Sequence, residues 1–254
     1  MKRIFQLATA FAMILGLSSQ AARATPVDLE LALLIDVSGS VNTTEFDLQV
    51  QGYVDAFNST TIHNAIASGA IGSIAVETIF WSGSAQQSTA IGWTLIDNAL
   101  ASTTFATAMD VLVRPFVGGL TAPGSALNYA TATFINNFEG TRSVIDVSGD
   151  GAENTGSDTS DARDAALLAG IDAINGISIG NELGLEQWYI DNIMGGTNSF
   201  VLHASGFDTF GTAIENKLER EIIGQVPEPA SIALFGLGLA GLGLARRKKQ
   251  LAES

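Results

Sequence analysis

Three oxygen-bearing side chains lie within five residues near the start of the chain. Asp36, Ser38 and Ser40 alternate with Val37 and Gly39, so one carboxylate and two hydroxyls share a short stretch with a central glycine. Oxygen-only ligands of this kind suit a hard cation such as Mg²⁺, with Mn²⁺ or Ca²⁺ as alternatives. Because Ser and Asp also favour turns and helix caps, this stretch alone leaves a purely structural turn as the other interpretation.

Two later segments offer ligands of the same chemical type. Thr121 lies in the run 118–124, Gly-Gly-Leu-Thr-Ala-Pro-Gly, which leads into a predicted helix. Asp150 follows a predicted strand in the sequence Ser-Gly-Asp-Gly. Each of them adds an oxygen ligand of the kind that hard cations prefer.

The hydrophobic pattern indicates which elements must position these residues. Apolar runs predict strands at residues 29–37, 74–81, 88–93, 143–147, 173–179 and 199–203. Helical spacing of apolar residues predicts helices at 46–57, with Thr43 or Thr44 as its cap, and at 95–113, 125–138, 161–169 and 207–223. Alternating strands and helices predict an α/β fold with a doubly wound, mainly parallel central sheet flanked by helices. Such sheets bind ligands at the carboxyl ends of their strands, where Asp36 and Asp150 are expected.

The motifs, taken in this order, resemble the von Willebrand factor type A (VWA) domain. Asp-x-Ser-x-Ser follows the first strand, a Thr precedes a middle helix, and an Asp-Gly follows a later strand, although Pro123 departs from the usual run before that helix. The segments 144–151, 174–176 and 217–222 resemble an uncharacterised bacterial branch of that superfamily. The resemblance covers nearly all of residues 25–224. It implies a Rossmann-like VWA fold and a metal-ion-dependent adhesion site (MIDAS), whose residues by position would be Asp36, Ser38, Ser40, Thr121 and Asp150.

In that superfamily a partner's Asp or Glu fills the open position of the metal. The resemblance therefore implies a binding or adhesion domain with an unknown protein or glycan partner, which would supply a carboxylate. Two other functions stay open: a structural matrix component with a vestigial site, and a metal-assisted hydrolase acting on matrix polymers. The bacterial branch has no assigned function, so it does not choose among them.

Composition excludes several other classes of function. The chain has no cysteine, which excludes disulfides, thiolate catalysis and Cys-ligated metals. A serine hydrolase is disfavoured because Ser148 is not in a G-x-S-x-G turn, and metal-assisted hydrolysis usually takes more carboxylates or histidines than these. A formal charge of −14 disfavours nucleic acid as a partner, since phosphates would be repelled.

The basic residues are concentrated at the two ends of the chain. Residues 25–229 hold 5 basic and 25 acidic side chains, a formal charge of −20. The start has Lys2 and Arg3, the apolar run 7–17, and Ala-Arg-Ala at 22–24, which together predict a Sec signal peptide over residues 1–24. We expect an exported domain at 25–225, an acidic surface that steers acidic partners poorly, and no disulfide to support the fold.

The C-terminal end of the sequence predicts a second targeting signal. Pro227-Glu228-Pro229 precedes an uncharged apolar run at 230–245 and a cluster of four basic residues at 246–249. This order resembles the PEP-CTERM sorting tail, which implies a transmembrane segment at 230–245, a transient anchor in the inner membrane, and processing by an exosortase. The final location would be the cell surface or an extracellular biofilm matrix.

Other acidic residues of the middle segment have structural interpretations. Asp146 lies within a predicted strand, which favours a buried, hydrogen-bonded acid. Glu153, Asn154, Asp158 and Asp161 follow Asp150 closely and offer ligands for a second cation. A solvated loop in which Asp158 or Ser160 caps the next helix is the alternative.

Overall fold

The computed structural model describes residues 24–116 and 118–224 of the chain. Apart from Ala24, the predicted signal peptide and the predicted tail, with its membrane-spanning run 230–245, lie outside these residues. The strands are β1 (Thr25–Val27), β2 (Leu29–Asp36), β3 (Ile74–Trp81), β4 (Gln87–Ile96), β5 (Phe138–Gly140), β6 (Ser143–Gly149), β7 (Ala173–Ile179), β8 (Gly195–Gly196) and β9 (Val201–Ala204). The helices are α1 (Thr43–Asn58), α2 (Thr60–Ala67), α3 (Ala99–Asp110), α4 (Pro123–Thr133), α5 (Thr159–Leu168), α6 (Leu185–Asn192) and α7 (Phe207–Ile223).

Seven strands form the central sheet, in the order β4-β3-β2-β6-β7-β8, with β9 also paired to β7. The strands β2, β3, β6, β7 and β9 are parallel, whereas β4 and β8 run antiparallel to their neighbours. The short strands β1 and β5 pair separately, in parallel. The prediction of a doubly wound, mainly parallel α/β fold is confirmed.

Helices cover both faces of the sheet, and β2 shows how the sequence produces this arrangement. Every residue of β2 is buried. Successive side chains of a strand point to opposite faces, so Leu31 and Leu33 pack with α1, α2, α3 and α7, while Ala32 and Leu34 pack with α4, α5 and α6. A strand buried on both faces must be apolar throughout, and this explains the continuous apolar run.

The first long helix begins earlier than predicted, at Thr43. Asn42, rather than Thr43 or Thr44, is the N-cap of α1. Its side chain accepts a hydrogen bond from the Glu45 N–H at 3.1 Å, and the Glu45 carboxylate accepts one from the Asn42 N–H at 2.8 Å. This reciprocal capping box satisfies two backbone donors, which explains why both threonines lie inside the helix.

Two other predicted helices were too long. Leu95 and Ile96 belong to the edge strand β4, and Asn98 caps α3 by accepting from the Ala101 N–H at 2.9 Å. The predicted helix 125–138 is α4, which ends at Thr133, and Phe138 belongs to β5. The helices α2 and α6 were not predicted. Within the two described ranges, no helix is both long and apolar enough to cross a membrane.

Candidate metal site

Asp36 is the last residue of β2, and its side chain is fully buried. Its Oδ1 accepts a hydrogen bond from the Ser38 N–H at 2.7 Å, whereas Oδ2 has no hydrogen-bond partner among the described residues. Burial, and secondarily the nearby Asp150 carboxylate, raise the pKa of Asp36 to about 7. A buried acceptor without a partner is costly, so this oxygen is suited to a cation or a cation-bound ligand.

Hydrogen bonds join the loop after β2 to the loop after β6. Ser38 Oγ lies 3.2 Å from Ser40 Oγ, and Ser40 Oγ donates to Asp150 Oδ1 at 2.7 Å. Asp150 directly follows β6, which pairs with β2 in parallel, so both loops leave the same edge of the sheet. Burial raises the pKa of the Asp150 carboxyl. Four of the five predicted ligands thus form one connected set.

Thr121 lies beside this set, on the segment before α4. Its N–H donates to Asn154 Oδ1 at 2.8 Å, and the Asn154 N–H donates to the Thr121 carbonyl at 3.0 Å. The side chain is buried and faces Gly151, where an added Cβ would lie 3.7 Å from Thr121 Oγ1. The structure therefore places all five predicted residues at one end of the sheet.

Arg114, which sequence reasoning missed, holds the loop after β2 in place. Its guanidinium donates to the carbonyl of Val37 at 2.7 Å and to that of Ser38 at 2.5 Å. These charge-assisted bonds fix the backbone between two predicted ligands. Nothing in the sequence signals this contact, because Arg114 lies 76 residues further along the chain in a stretch without periodic pattern.

Close backbone packing sets the position of Gly39. Its N–H donates to the Gly119 carbonyl at 3.0 Å, and an added Cβ would lie only 2.9 Å from that oxygen. Position 39 must therefore be glycine for the loop after β2 to lie this close to the segment that leads to Thr121. A separate contact holds the end of β2, because buried Gln49 on α1 donates to the Asp36 carbonyl at 3.1 Å.

Tyr189 is a further residue at this end that sequence reasoning missed. It lies on α6 and is fully buried, and its hydroxyl has no hydrogen-bond partner among the described residues. A Cβ on Gly149 would lie 2.6 Å from the Tyr189 hydroxyl and 2.8 Å from Asp36 Oδ2. A methyl group at position 149 would therefore come too close to both of these polar atoms.

The other acidic residues have structural roles. Asp158 caps α5 by accepting from the Asp161 N–H, and Glu153 accepts from the N–H and hydroxyl of Thr159. Asp146 is fully buried and pairs with Lys217 at 2.5 Å. Across the described part of the chain, no group of three or more His, Asp or Glu is arranged to hold a metal. A second cation bound by Glu153 and its neighbours thus finds no support.

The donor set at the five positions fits a hard divalent cation. Three hydroxyls and two carboxylates are hard oxygen ligands, and together they bring at most two negative charges. A cation held in this way stays electron-poor and keeps affinity for a further oxygen ligand from outside. The residues that would hold it are Asp36, Ser38, Ser40, Thr121 and Asp150.

A family model described as "Protein of unknown function (DUF1194)" matches residues 26–226. The chain belongs to this family. A second model, the PEP-CTERM protein-sorting motif, matches residues 225–249, and so the resemblance of the tail is confirmed. No curated protein matches the chain.

Solved structures confirm the VWA fold of the DUF1194 domain. Proximal thread matrix protein 1 from the mussel byssus, "with zinc occupied MIDAS motif", superposes with a TM-score of 0.56 at 18% identity, over 79% of this chain and 49% of that chain. The pilus adhesin SpaC from Lactobacillus rhamnosus GG gives a TM-score of 0.55 at 15% identity, over 79% and 30%. The PilB minor pilin from Streptococcus sanguinis gives 0.54 at 13%, over 77% and 62%. The DUF1194 chain thus spans about half the length of the mussel protein and less than a third of the adhesin.

Proposed function

We propose that the DUF1194 domain is an exported binding domain that engages its partner through a divalent cation. The ligands would be Asp36, Ser38, Ser40, Thr121 and Asp150, and the cation Mg²⁺, Mn²⁺ or Ca²⁺. The observation that carries the proposal is the unpartnered, buried Oδ2 of Asp36 at the end of a connected set of hydroxyl and carboxylate groups. The cation would offer an open position to a carboxylate of a protein or glycan partner.

Binding is favoured over hydrolysis because the site offers few groups for proton transfer. The two histidines of the chain contact other groups: His63 Nε2 lies 2.9 Å from the Phe57 carbonyl, and His203 Nδ1 lies 3.1 Å from Ser178 Oγ. Metal-assisted hydrolysis needs an activated water and a base within reach of it. The names of the structural neighbours, a matrix protein and an adhesin, agree with a role in binding.

The sorting tail indicates where the proposed binding domain would act. The PEP-CTERM motif implies export and sorting to the outside of the cell. We place the mature domain at 25–225, after a signal peptide at 1–24, with the tail at 226–254 as a transient anchor in the inner membrane. An exosortase-type enzyme would process this anchor and release the domain to the cell surface or the matrix.

Titration calorimetry with Mn²⁺ tests the proposal. We expect binding at millimolar or lower metal, and loss of that binding in Asp36→Ala. The matched control is Asp55→Ala, which removes an exposed carboxylate on α1 that accepts only from Gln51. A vestigial site predicts that the wild-type protein binds no Mn²⁺, or that Asp36→Ala binds it equally well.

A further inference from the structure

An acidic groove of about 440 Å³ opens directly beside the proposed cation site. It lies between the start of α1, the loop after β7 and the start of α7. The groove shares Asp150 with the cation site, and its lining carries four carboxylates, from Glu45, Asp150, Glu182 and Asp208. No Lys or Arg is among the described residues that line it.

The carboxylates of this acidic groove are not neutralised by the domain. The ion pairs of the described residues join Arg163 to Asp164 and Lys217 to Asp146 and Glu221, all outside the groove. Asp150 is at once a groove carboxylate and a proposed cation ligand. The negative potential of the groove therefore extends to the cation site.

The groove also has an apolar part. Leu48, Ile179 and Phe207 line it together with the carboxylates, and Leu48 is 38% exposed. Apolar surface beside carboxylates suits a long cationic side chain, since Lys and Arg bury their aliphatic stems and keep their charged heads in polar surroundings.

These observations restrict what can approach the cation. An acidic polysaccharide would bring its carboxylate to the cation against the negative potential of the groove, with no cationic group to offset the repulsion. A protein segment can carry a carboxylate and a Lys or Arg a few residues away. One group would then bind the cation while the other occupies the groove.

We propose that the partner is a protein segment in which an Asp or Glu is flanked by Lys or Arg, with the carboxylate on the cation and the basic side chain in the acidic groove. This inference rests on the proposed function, because it presupposes the cation. It assigns Glu182 and Asp208 as residues that determine specificity. Both are exposed, and neither is among the proposed cation ligands.

Two peptides that differ only in the flanking charge test the inference. One has a single Asp between two Lys, spaced by Gly, and the other has norleucine in place of each Lys. Their binding to the full chain in mild non-ionic detergent is measured at low salt with saturating Mn²⁺. We expect the Lys peptide to bind at least about tenfold more tightly. In Glu182→Lys with Asp208→Asn that advantage falls to about threefold or less, while Mn²⁺ binding is retained.

The control variant is Glu139→Lys, which repeats the Glu→Lys exchange of the groove variant on β5, away from the groove. It should keep the full preference for the Lys peptide. Equal binding of the two peptides to the Mn²⁺-loaded wild-type protein, or no binding of either, would overturn the inference. So would a preference that survives in the groove variant. Failure of the wild-type chain to bind Mn²⁺ contradicts the proposed function instead, so the two failures are distinguishable.

Discussion

Ser40 Oγ donates a hydrogen bond of 2.7 Å to Asp150 Oδ1, across 110 residues of sequence. This bond links the two halves of the candidate site, because it joins the loop after β2 to the loop after β6. The parallel pairing of the two strands brings the loops together at one edge. The fold therefore holds these donors together, and a set of ligands that the fold already holds lowers the entropic cost of binding.

The buried charge of Asp36 predicts a conflict between stability and function. Asp36→Asn keeps an oxygen that accepts from the Ser38 N–H but removes a carboxylate whose pKa burial raises to about 7. Without metal at pH 8, we expect the variant to be more stable than wild type, on the order of 2 kcal/mol, and to lose Mn²⁺ binding. Urea unfolding in EDTA, with calorimetry, measures both; a destabilised variant that still binds Mn²⁺ would contradict the account.

The buried ion cluster of Asp146, Lys217 and Glu221 predicts that the stability of the domain depends on pH. Burial, and secondarily Asp146, raise the pKa of Glu221 to about 7, from an ordinary value of 4.5. Because the folded state holds this proton more tightly than the unfolded state, the contribution to stability is complete below pH 4.5 and is lost as the pH rises through 7. The free energy of unfolding should therefore fall between pH 5 and pH 8, and fall less in Glu221→Gln. Parallel pH profiles of the two proteins would show the interpretation to be wrong.

Two buried carboxylates, those of Asp146 and Glu221, share one cationic partner. Among the described residues, Lys217 is the only basic side chain that forms an ion pair with them. Lys217→Met leaves both acids buried without a counter-charge, so we expect a loss of about 3–5 kcal/mol in the free energy of unfolding at neutral pH. Adding Asp146→Asn and Glu221→Gln should recover most of that loss, because no buried charge then remains. A triple variant as unstable as Lys217→Met would indicate a packing defect instead.

The contacts of Arg114 predict that this residue positions the loop after β2, which carries two of the proposed cation ligands. Arg114→Met removes the bonds to the Val37 and Ser38 carbonyls, and we expect Mn²⁺ affinity to fall about tenfold. The matched control is Arg163→Met, which removes a guanidinium paired with Asp164 away from the site. Calorimetry with Mn²⁺ compares the two; equal affinities would mean that Arg114 does not position the loop.

The close packing around Gly149 predicts that a side chain at this position clashes with Tyr189, and that removing the Tyr189 hydroxyl relieves the clash. A Cβ at this position would come within 2.6 Å of the Tyr189 hydroxyl, so Gly149→Ala should destabilise the domain by about 1–3 kcal/mol. Tyr189→Phe removes that hydroxyl and should recover part of the loss. Thermal unfolding of the single and double variants measures the coupling, and additive effects would refute the steric explanation.

The strand-end rule predicts part of the candidate cation site from the sequence alone. Asp36 and Asp150 follow strands with a clear hydrophobic pattern, so their meeting at one edge follows from the parallel sheet. Thr121 was expected there from the VWA resemblance, and the Asn154 contact explains its placement. Arg114 and Tyr189 were missed because neither lies in a motif, and their contacts depend on how distant elements pack.

The helix boundaries were missed for a different reason. Leu95 and Ile96 are apolar and fit the pattern of a strand as well as that of a helix, so periodicity could not separate β4 from α3. The side chain of Asn98, which accepts from the Ala101 N–H, decides the boundary. The acidic groove was also beyond prediction, since its carboxylates come from the first turns of two helices and from two loops that only the fold brings together.

The central claim is that Asp36, Ser38, Ser40, Thr121 and Asp150 hold one divalent cation. Anomalous diffraction from crystals of the protein soaked in Mn²⁺ tests it most directly. We predict a single anomalous peak within coordination distance of Ser38 Oγ, Ser40 Oγ and Thr121 Oγ1, absent from crystals of Asp36→Ala. Crystals that show no peak at these residues at millimolar Mn²⁺, or an equal peak in Asp36→Ala, would contradict the account.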